Sequence, residues 1–160
     1  MKLYFLRHGI AAAREEWNGS DETRPLTPDG TTRMARGAKG MARLGVEVEL
    51  ILTSPLTRAV ETADIAARAL ARRDVLVQDS RFAPGFGIKE LVKILTDYGE
   101  SKAMLLVGHE PDFSNTIAAL IGGGRLLMKK GGLALVEITN VAVPSGELVW
   151  LLPPKVLGAE

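Results

Sequence analysis

The chain has 160 residues, of which 46% are hydrophobic and 24% charged, and its 20 basic and 19 acidic side chains leave a formal charge of +1. This length fits a single domain, residues 1–160, that buries roughly 70% of the surface its unfolded form exposes. The near-neutral charge argues against general binding to nucleic acid or to an anionic membrane surface. The chain has no cysteine, which excludes disulfides, thiolate nucleophiles and cysteine-based zinc or iron–sulfur sites.

The apolar runs are short. None approaches the roughly 20 residues that a membrane-spanning helix needs. The first residues, MKLYFLRHG, have the length of a strand, and Arg7 stands where a signal peptide would continue its apolar stretch. We therefore expect a cytoplasmic protein without a membrane segment.

Apolar runs bounded by turn residues predict six β-strands. They are Lys2–Leu6, Leu50–Thr53, Val75–Val77, Met104–Val107, Leu133–Ile138 and Leu148–Leu152. Apolar residues at a spacing of 3.6 predict helices between the strands. The helical patterns cover Met34–Gly45, an alanine-rich stretch at 56–72, Ile88–Tyr98 and Phe113–Ile121.

Two hydroxyl–proline pairs predict helix starts. Thr27-Pro28 and Ser54-Pro55 each offer an N-cap residue followed by proline at the first helical position. Strands that alternate with helices indicate an α/β layered fold with a mostly parallel central sheet. The last two strands are joined closely through Val143–Gly146, which predicts an antiparallel C-terminal hairpin.

The two histidines of the chain, His8 and His109, each stand where an apolar run stops. In open α/β sheets, ligands bind beyond the carboxyl ends of the strands. His8 follows Arg7, and Arg58 lies one turn inside a helix, where its side chain leans back toward the helix start. Two arginines and two histidines would then surround one small volume. A phosphoryl group suits such a site because its charge and geometry match forked guanidinium donors.

Each of these residues also has a plainer interpretation. A single histidine at a strand end is more often structural or exposed, and an arginine early in a helix is more often a solvated charge. The coincidence of both histidines at predicted strand ends, with an arginine in another loop region between a strand and a helix, favours a shared anion site.

Three motifs follow one another along the chain. They are Arg7-His8-Gly9, the segment Ser54–Ala59 (SPLTRA) followed by Glu61-Thr62, and Gly108-His109. This set resembles the histidine phosphatase (phosphoglycerate mutase-like) superfamily.

Two further segments narrow the resemblance. Arg24–Thr27 (RPLT) with Gly30, and Gly108–Asp112 (GHEPD), are similar to the small SixA-type branch of phosphohistidine phosphatases. The resemblance runs from Lys2 to about Pro153. It implies a three-layer α/β/α sandwich of the phosphoglycerate mutase-like fold, a phosphohistidine intermediate, and neither metal nor cofactor.

The resemblance also implies a role for each site residue. His8 is the nucleophile and must be neutral, with one ring nitrogen held by a backbone carbonyl near Gly9 and its pKa lowered by nearby cations. Arg7 and Arg58 hold the phosphoryl oxygens, and a protonated His109 stabilises the spreading negative charge. Gly9 allows a tight turn and a close approach to the ligand.

Arg24 has two interpretations. The resemblance makes it a further phosphate-binding cation at the rim of the pocket. Alternatively, it is a loop arginine that pairs with Asp21 or Glu22.

The proton donor is where the sequence departs from the wider superfamily. Many members use a glutamate between the third strand and the following helix. Here the segment Asp79–Ile88 contains no glutamate, and the first one after it is Glu90. The SixA branch also lacks this acid. A phosphoramidate nitrogen takes up a proton more readily than an ester oxygen, so the gap favours phosphohistidine as substrate. Glu110 and Asp112 are the substitutes to test, and Asp112 is otherwise the cap of the next helix.

The short chain bears on the substrate as well. Members that act on small metabolites usually carry a long insertion over the site, and the stretch between Val77 and Glu90 has no room for one. An open site suits a phosphorylated side chain on a partner protein.

Aromatic and basic residues near the motifs have alternative interpretations. Trp17, Phe82 and Phe86 line the surface around the site or pack in the core. Lys129 and Lys130 form a positive rim toward an acidic partner or belong to a solvated loop.

The sequence therefore predicts a metal-independent phosphohistidine phosphatase that binds phosphate and acts on a phosphorylated protein. One alternative is a small-molecule phosphomonoesterase of the same superfamily, or less plausibly a mutase. Another is a non-catalytic phosphoprotein-binding module, which would have no need of His8. A metal-dependent hydrolase is disfavoured because the chain lacks cysteine and its histidines are not paired at helical spacing.

Overall fold

Six strands and four α-helices make up most of residues 1–159, which are the residues that the computed structural model describes. The strands are β1 (Lys2–Arg7), β2 (Leu50–Thr53), β3 (Leu76–Gln78), β4 (Ala103–Gly108), β5 (Leu133–Asn140) and β6 (Ser145–Leu152). The helices are α1 (Pro28–Arg43), α2 (Thr57–Ala69), α3 (Ile88–Tyr98) and α4 (Asp112–Leu120).

All six strands form one sheet in the order β3-β2-β4-β1-β5-β6. The pairs β2–β3, β2–β4 and β1–β4 are parallel, whereas β5 is antiparallel to both β1 and β6. The predicted mostly parallel sheet with an antiparallel C-terminal hairpin is confirmed.

The side chains of β1 alternate between the two faces of the sheet, and both faces are covered by helices. Leu3 and Phe5 join the core beneath α3 and α4, while Tyr4 and Leu6 join the core beneath α1 and α2. Each large apolar side chain buried in this way contributes about 1.5–3 kcal/mol relative to its exposed state. The three-layer α/β/α arrangement therefore follows from strands that are apolar on both faces.

Helix starts agree with the sequence at one position and differ at another. Thr27 caps α1 as predicted, because its hydroxyl accepts a 2.9 Å hydrogen bond from the Gly30 N–H. Ser54 is not an N-cap, since α2 begins at Thr57 and the Ser54 hydroxyl faces the strand ends instead.

The end of α1 also differs from the predicted pattern. The helix stops at Arg43, and Gly45 adopts a φ of 71° that ends the helical path. This left-handed conformation costs glycine little, which explains why the periodic pattern runs past the true helix end.

None of the helices in residues 1–159 has both the length and the apolar character needed to cross a bilayer.

Two glycines on α1 pack against the segment that follows β6. A Cβ atom on Gly40 would lie 2.1 Å from the Leu157 carbonyl oxygen, which is backbone and has little freedom to move. A Cβ on Gly37 would lie 3.5 Å from the Ala159 Cβ, an ordinary contact. Gly40 therefore permits a close approach that any other residue would prevent.

We expect Gly40→Ala to lower the free energy of unfolding by about 1–3 kcal/mol through overpacking. Gly37→Ala, on the same helix, is the matched control and should be neutral or stabilising by up to about 1 kcal/mol, because alanine favours helix. Urea unfolding monitored by circular dichroism measures both variants. Equal stability of the two variants would contradict the close packing of α1 against Leu157.

Candidate active site

The parallel pairing of β1 with β4 brings the two histidines to the same edge of the sheet. Arg7 is opposite Gly108 in the register, and the His8 N–H donates a 3.0 Å hydrogen bond to the Gly108 carbonyl. The rings of His8 and His109 consequently lie close together, with centroids 5.3 Å apart and planes tilted by 56°. The convergence expected from two separate strand ends is present.

His8 is buried, and its ring orientation is set by its neighbour. Its Nδ1 lies 2.7 Å from the Gly9 carbonyl oxygen, which can only accept a hydrogen bond. The proton of the neutral ring therefore sits on Nδ1, and Nε2 keeps a free lone pair. A neutral imidazole in this tautomer presents a nucleophilic nitrogen.

Gly9 is closely packed, and its backbone does not need the conformational freedom of glycine. A Cβ at this position would lie 3.3 Å from Leu26 Cδ2, and the φ angle of Gly9 is not among the positive ones. The Gly9 N–H donates to Thr62 Oγ1 at 3.0 Å, and that hydroxyl donates to the Arg58 carbonyl at 2.7 Å. This chain of hydrogen bonds fixes the end of β1 against α2.

His109 is held by a buried serine that the sequence suggested only as a helix cap. The Ser54 hydroxyl lies 2.8 Å from His109 Nε2 and also accepts a 3.3 Å hydrogen bond from the Leu56 N–H. The serine proton is thus free to be donated to Nε2, which favours the tautomer with the ring proton on Nδ1. His109 then offers an N–H donor beside His8.

Each of the two arginines is anchored by part of its guanidinium. Arg7 Nη1 donates to the Met128 carbonyl at 2.7 Å. Arg58 Nη1 donates to the Asp21 carbonyl at 2.7 Å, and its Nη2 lies 3.0 Å from Asp21 Oδ2. The Nε atom of both side chains is buried without a hydrogen-bond partner among residues 1–159.

Buried side-chain polar atoms without a hydrogen-bond partner are concentrated around the two histidines and two arginines of the site. In the described part of the chain they are five in number, and three belong to the site: Arg7 Nε, Arg58 Nε and His109 Nδ1. Each such atom costs about 1–3 kcal/mol, so they are uncommon in folded proteins. Three cationic or neutral N–H donors around one volume are suited to binding a phosphoryl oxyanion.

The carboxylate of Asp21 contacts three arginines, and the sequence analysis did not connect it to Arg58. Asp21 lies on a 3₁₀ turn, Asp21–Thr23, and its carboxylate contacts Arg14 at 2.8 Å, Arg24 at 2.9 Å and Arg58 at 3.0 Å. Burial alone would raise the pKa of Asp21, but the hydrogen bonds from Arg14, Arg24 and Arg58 lower it to about 2. No local pattern links positions that are 37 residues apart, so only the folded chain reveals this contact.

Arg24 shows the ion pair with Asp21 that one of the two interpretations expected. Its Nη1 also donates to the Ala12 carbonyl at 2.8 Å, so the loop between β1 and α1 is closed by this side chain. Its charge contributes to the lowered pKa of His109, after burial and the charge of Arg58. A rim position is compatible with both interpretations.

Both histidines are neutral in the free protein at pH 7. The pKa of His8 is lowered to about 3, mainly by burial; the proximity of His109, Arg58 and Arg7 acts in the same direction, and the Gly9 hydrogen bond opposes them. Burial, followed by the charge of Arg58, lowers the pKa of His109 to about 4. The protonated His109 expected from the resemblance therefore requires a bound anion, and burial, more than nearby cations, keeps His8 neutral.

The two candidate acids already accept hydrogen bonds. Glu110 accepts from the Ser114 N–H at 3.1 Å and the Ser114 hydroxyl at 2.6 Å. Asp112 accepts from the Gly85 N–H at 2.7 Å and does not cap α4, which begins at Asp112 itself. Burial lowers the pKa of Arg7, and the charge of Glu110 opposes this by raising it, so Glu110 lies within electrostatic reach of the site.

The aromatic residues divide between core and surface. Phe82 and Phe86 are buried and stack at 4.7 Å, and Phe86 meets Phe113 edge-on at 5.7 Å, so the core interpretation is confirmed for both. Trp17 is partly exposed on the loop between β1 and α1. Among residues 1–159, no three His, Asp or Glu side chains are grouped as metal ligands would be.

The family of the chain follows from comparison with known sequences. The family model of the histidine phosphatase superfamily (branch 1) matches residues 3–83. An uncharacterized protein of Picosynechococcus sp. is 38% identical over 97% of this chain and 98% of its own length. The chain belongs to the histidine phosphatase superfamily.

Two comparisons with SixA place the chain within that superfamily. It is 26% identical to the phosphohistidine phosphatase SixA of Escherichia coli (strain K12), over 96% of this chain and 94% of that protein. A solved structure of the protein histidine phosphatase SixA complexed with tungstate superposes with a TM-score of 0.87 at 24% identity, covering 98% of this chain and 99% of that one. The predicted phosphoglycerate mutase-like fold is confirmed.

We expect the two buried histidines to make the stability of the folded protein depend on pH in the acid range. Their folded pKa values of about 3 and about 4 lie below the ordinary 6.5, so the unfolded chain binds more protons between these limits. The free energy of unfolding should therefore rise with pH over this window, by up to about 1.4 kcal/mol per pH unit for each histidine.

Urea unfolding at several pH values between about 4.5 and 6.5 tests this, because ordinary aspartates and glutamates titrate lower. The variant with His8→Asn and His109→Asn has no histidine left and should show a much flatter dependence. The same slope in the variant as in the wild type would contradict the assigned neutral state.

We expect Asp21→Asn to lower the free energy of unfolding by about 1–3 kcal/mol, because Arg58 is buried and would lose its ionic partner. Asp29→Asn is the matched control, since Asp29 forms an exposed pair with Arg33 at 2.8 Å and should cost less than about 0.5 kcal/mol. Chemical unfolding at neutral pH measures both variants. An equal loss of unfolding free energy in the two variants would contradict the role of Asp21 as the shared ionic partner of the arginines.

Proposed function

We propose that this protein is a metal-independent phosphohistidine phosphatase that transfers a phosphoryl group from a phosphorylated protein to His8 and then to water. The observation that carries the proposal is the free Nε2 of His8 within a ring–ring distance of 5.3 Å from His109, next to buried guanidinium N–H groups without partners among residues 1–159. Similarity to SixA over nearly the whole chain supports the same substrate class.

In the first step, the lone pair of His8 Nε2 attacks the phosphorus of the substrate. A new N–P bond forms at His8 while the N–P bond to the substrate imidazole breaks, and the departing imidazole nitrogen takes up a proton. Arg7, Arg58 and His109 donate hydrogen bonds to the phosphoryl oxygens as charge spreads over them. Catalysis here depends mainly on position and electrostatics.

In the second step, water attacks the phosphorus of phosphorylated His8. The N–P bond breaks, inorganic phosphate forms, and Nε2 regains its lone pair. The Gly9 carbonyl, 2.7 Å from Nδ1, keeps the ring oriented through both steps and stabilises the positive charge that develops on the ring.

His109 changes its protonation when the ligand arrives. A phosphoryl dianion within a few ångströms favours the charged imidazolium and opposes the burial that lowers its pKa to about 4. We infer that substrate binding brings a proton onto His109, so the protonated state expected from the resemblance belongs to the complex.

The absence of a glutamate between residues 79 and 89 supports a phosphoramidate substrate over a phosphate ester. An ester oxygen leaves poorly without a proton donor, while the imidazole of phosphohistidine is itself basic. Glu110 is the acid to test as an accessory donor. Arg24 at the rim, the single-domain organisation of residues 1–160 and the cytoplasmic location are parts of the same proposal.

We expect His8→Ala to reduce turnover of a phosphohistidine peptide to background, a loss of at least about 10³-fold. Arg58→Ala should lose about 10²–10³-fold in kcat/KM because a phosphoryl contact disappears. Arg68→Ala is the matched control, because Arg68 lies on the same helix in an exposed pair with Asp64, and it should keep full activity.

The substrates distinguish the proposal from its alternatives. Wild-type protein should prefer the phosphohistidine peptide to p-nitrophenyl phosphate and should be insensitive to EDTA. A clear preference for the monoester would favour the small-molecule phosphomonoesterase. Equal rates for wild type and His8→Ala on every substrate would leave only a binding module.

A further inference from the structure

The loop that leads from α4 to β5 lies beside the proposed catalytic residues and has a distinctive surface. We define Gly122–Lys130 as the basic loop. Its exposed residues include Arg125, Lys129 and Lys130, together with Leu127, whose side chain is 77% exposed. The loop thus combines three cations with one large apolar side chain in water.

The charge of the basic loop is not compensated locally. No aspartate or glutamate occurs from Phe113 to Val136. None of Arg125, Lys129 and Lys130 forms an ion pair within residues 1–159, although eight ion pairs occur in that part of the chain. Three unpaired cations on one loop generate a local positive potential that favours an acidic partner.

The basic loop is joined directly to the site. Between its exposed residues, Met128 is buried, and its carbonyl accepts the 2.7 Å hydrogen bond from Arg7. The Gly131 N–H that follows the loop lies 3.1 Å from the carbonyls of both Arg7 and His8. A molecule bound to the loop is therefore next to the residues proposed to hold the phosphoryl group.

Lys130 also borders the neighbourhood of Gly9. The two residues line the same small crevice, which has a volume of about 40 Å³. This crevice is too small for a substrate. Its lining nevertheless places Lys130 and Gly9, the neighbour of His8, on one surface.

The basic loop begins with three glycines in left-handed backbone conformations. Gly122, Gly123 and Gly124 have φ values of 85°, 123° and 117°, and an added Cβ would meet no atom within 4 Å at any of them. Backbone conformation, and not crowding, calls for glycine there, because other residues rarely adopt such angles.

We propose that the basic loop is a docking surface for the phosphorylated protein, and that it binds an acidic face with an apolar side chain next to the phosphohistidine. Arg125, Lys129 and Lys130 attract the acidic residues, and Leu127 contacts the apolar one. This inference rests on the proposed function and adds the kind of protein surface that the site accepts.

Two synthetic phosphohistidine peptides test the proposal. The first carries glutamates and one leucine around the phosphohistidine, and the second has glutamine in place of each glutamate. The ratio of their kcat/KM values isolates the flanking charges, because the phosphoryl group is the same in both. For the wild type at low ionic strength we expect a ratio of about 10 that falls toward 1 at high salt.

The variant Arg125→Gln, Lys129→Gln, Lys130→Gln should have a ratio near 1 even at low salt. The control variant Lys39→Gln, Arg43→Gln, Lys102→Gln removes the same charge at exposed positions in α1 and just before β4, and should keep the wild-type ratio. A ratio that falls equally in both variants would overturn the proposal, since it would reflect only the net charge of the protein.

Leu127 is tested separately with the acidic peptide and with a version whose leucine is replaced by serine. The wild type should prefer the leucine peptide by about threefold or more. Leu127→Ser should lose this preference. The control Leu44→Ser, at the exposed end of α1, should keep it. An unchanged preference in Leu127→Ser would overturn the apolar part of the contact.

Phosphoramidate separates failure of this inference from failure of the proposed function. If the wild type hydrolyses phosphoramidate and both peptides but does not distinguish the acidic peptide, the docking surface is wrong and the phosphatase stands. If the wild type hydrolyses none of them, the proposed function is wrong, and the docking inference falls with it.

Discussion

The parallel pairing of β1 with β4 is the constraint on which the rest of the site depends. It places Arg7 opposite Gly108 and lets the His8 N–H bind the Gly108 carbonyl at 3.0 Å. Two residues that are about 100 positions apart therefore become neighbours through backbone geometry alone. A shift of one residue in this register would turn the side chains of β1 to the opposite faces and separate the two rings.

A cluster of cations next to neutral, buried imidazoles needs compensation inside the protein. Asp21 supplies it on one side, where its carboxylate binds Arg14, Arg24 and Arg58. The Met128 carbonyl supplies it on the other side for Arg7. Both anchors hold the terminal nitrogens of a guanidinium and leave the Nε–H without a partner among residues 1–159. The arginines are thus fixed in place and keep donors for an anion.

Much of the fold was predictable because it depends on local patterns. Runs such as Leu50–Thr53 and Ile88–Tyr98 carry apolar residues at strand or helix spacing, and their predicted bounds agree with the structure. The convergence of the histidines followed from the rule that strand ends meet at one edge of a parallel sheet. These inferences need only the order of the elements along the chain.

The remaining features depend on contacts between distant segments. Ser54 looks like a helix cap in sequence, but the position of His109 gives its hydroxyl a different partner. The contact between Asp21 and Arg58 has no sequence signal, since it joins a 3₁₀ turn to the first turn of α2 only after folding. The neutral state of His109 in the free protein was not predictable for a related reason, because it depends on burial, which the neighbours in sequence do not show.

The central claim is that Nε2 of His8 accepts the phosphoryl group. Rapid quenching of the wild type during turnover of a phosphohistidine peptide, followed by mass spectrometry of the intact and digested protein, tests it most directly. We predict one transient phosphoryl group that maps to His8, is lost in acid and survives in base. Turnover without any covalent phosphoryl group, or a label that maps to His109, would contradict the account.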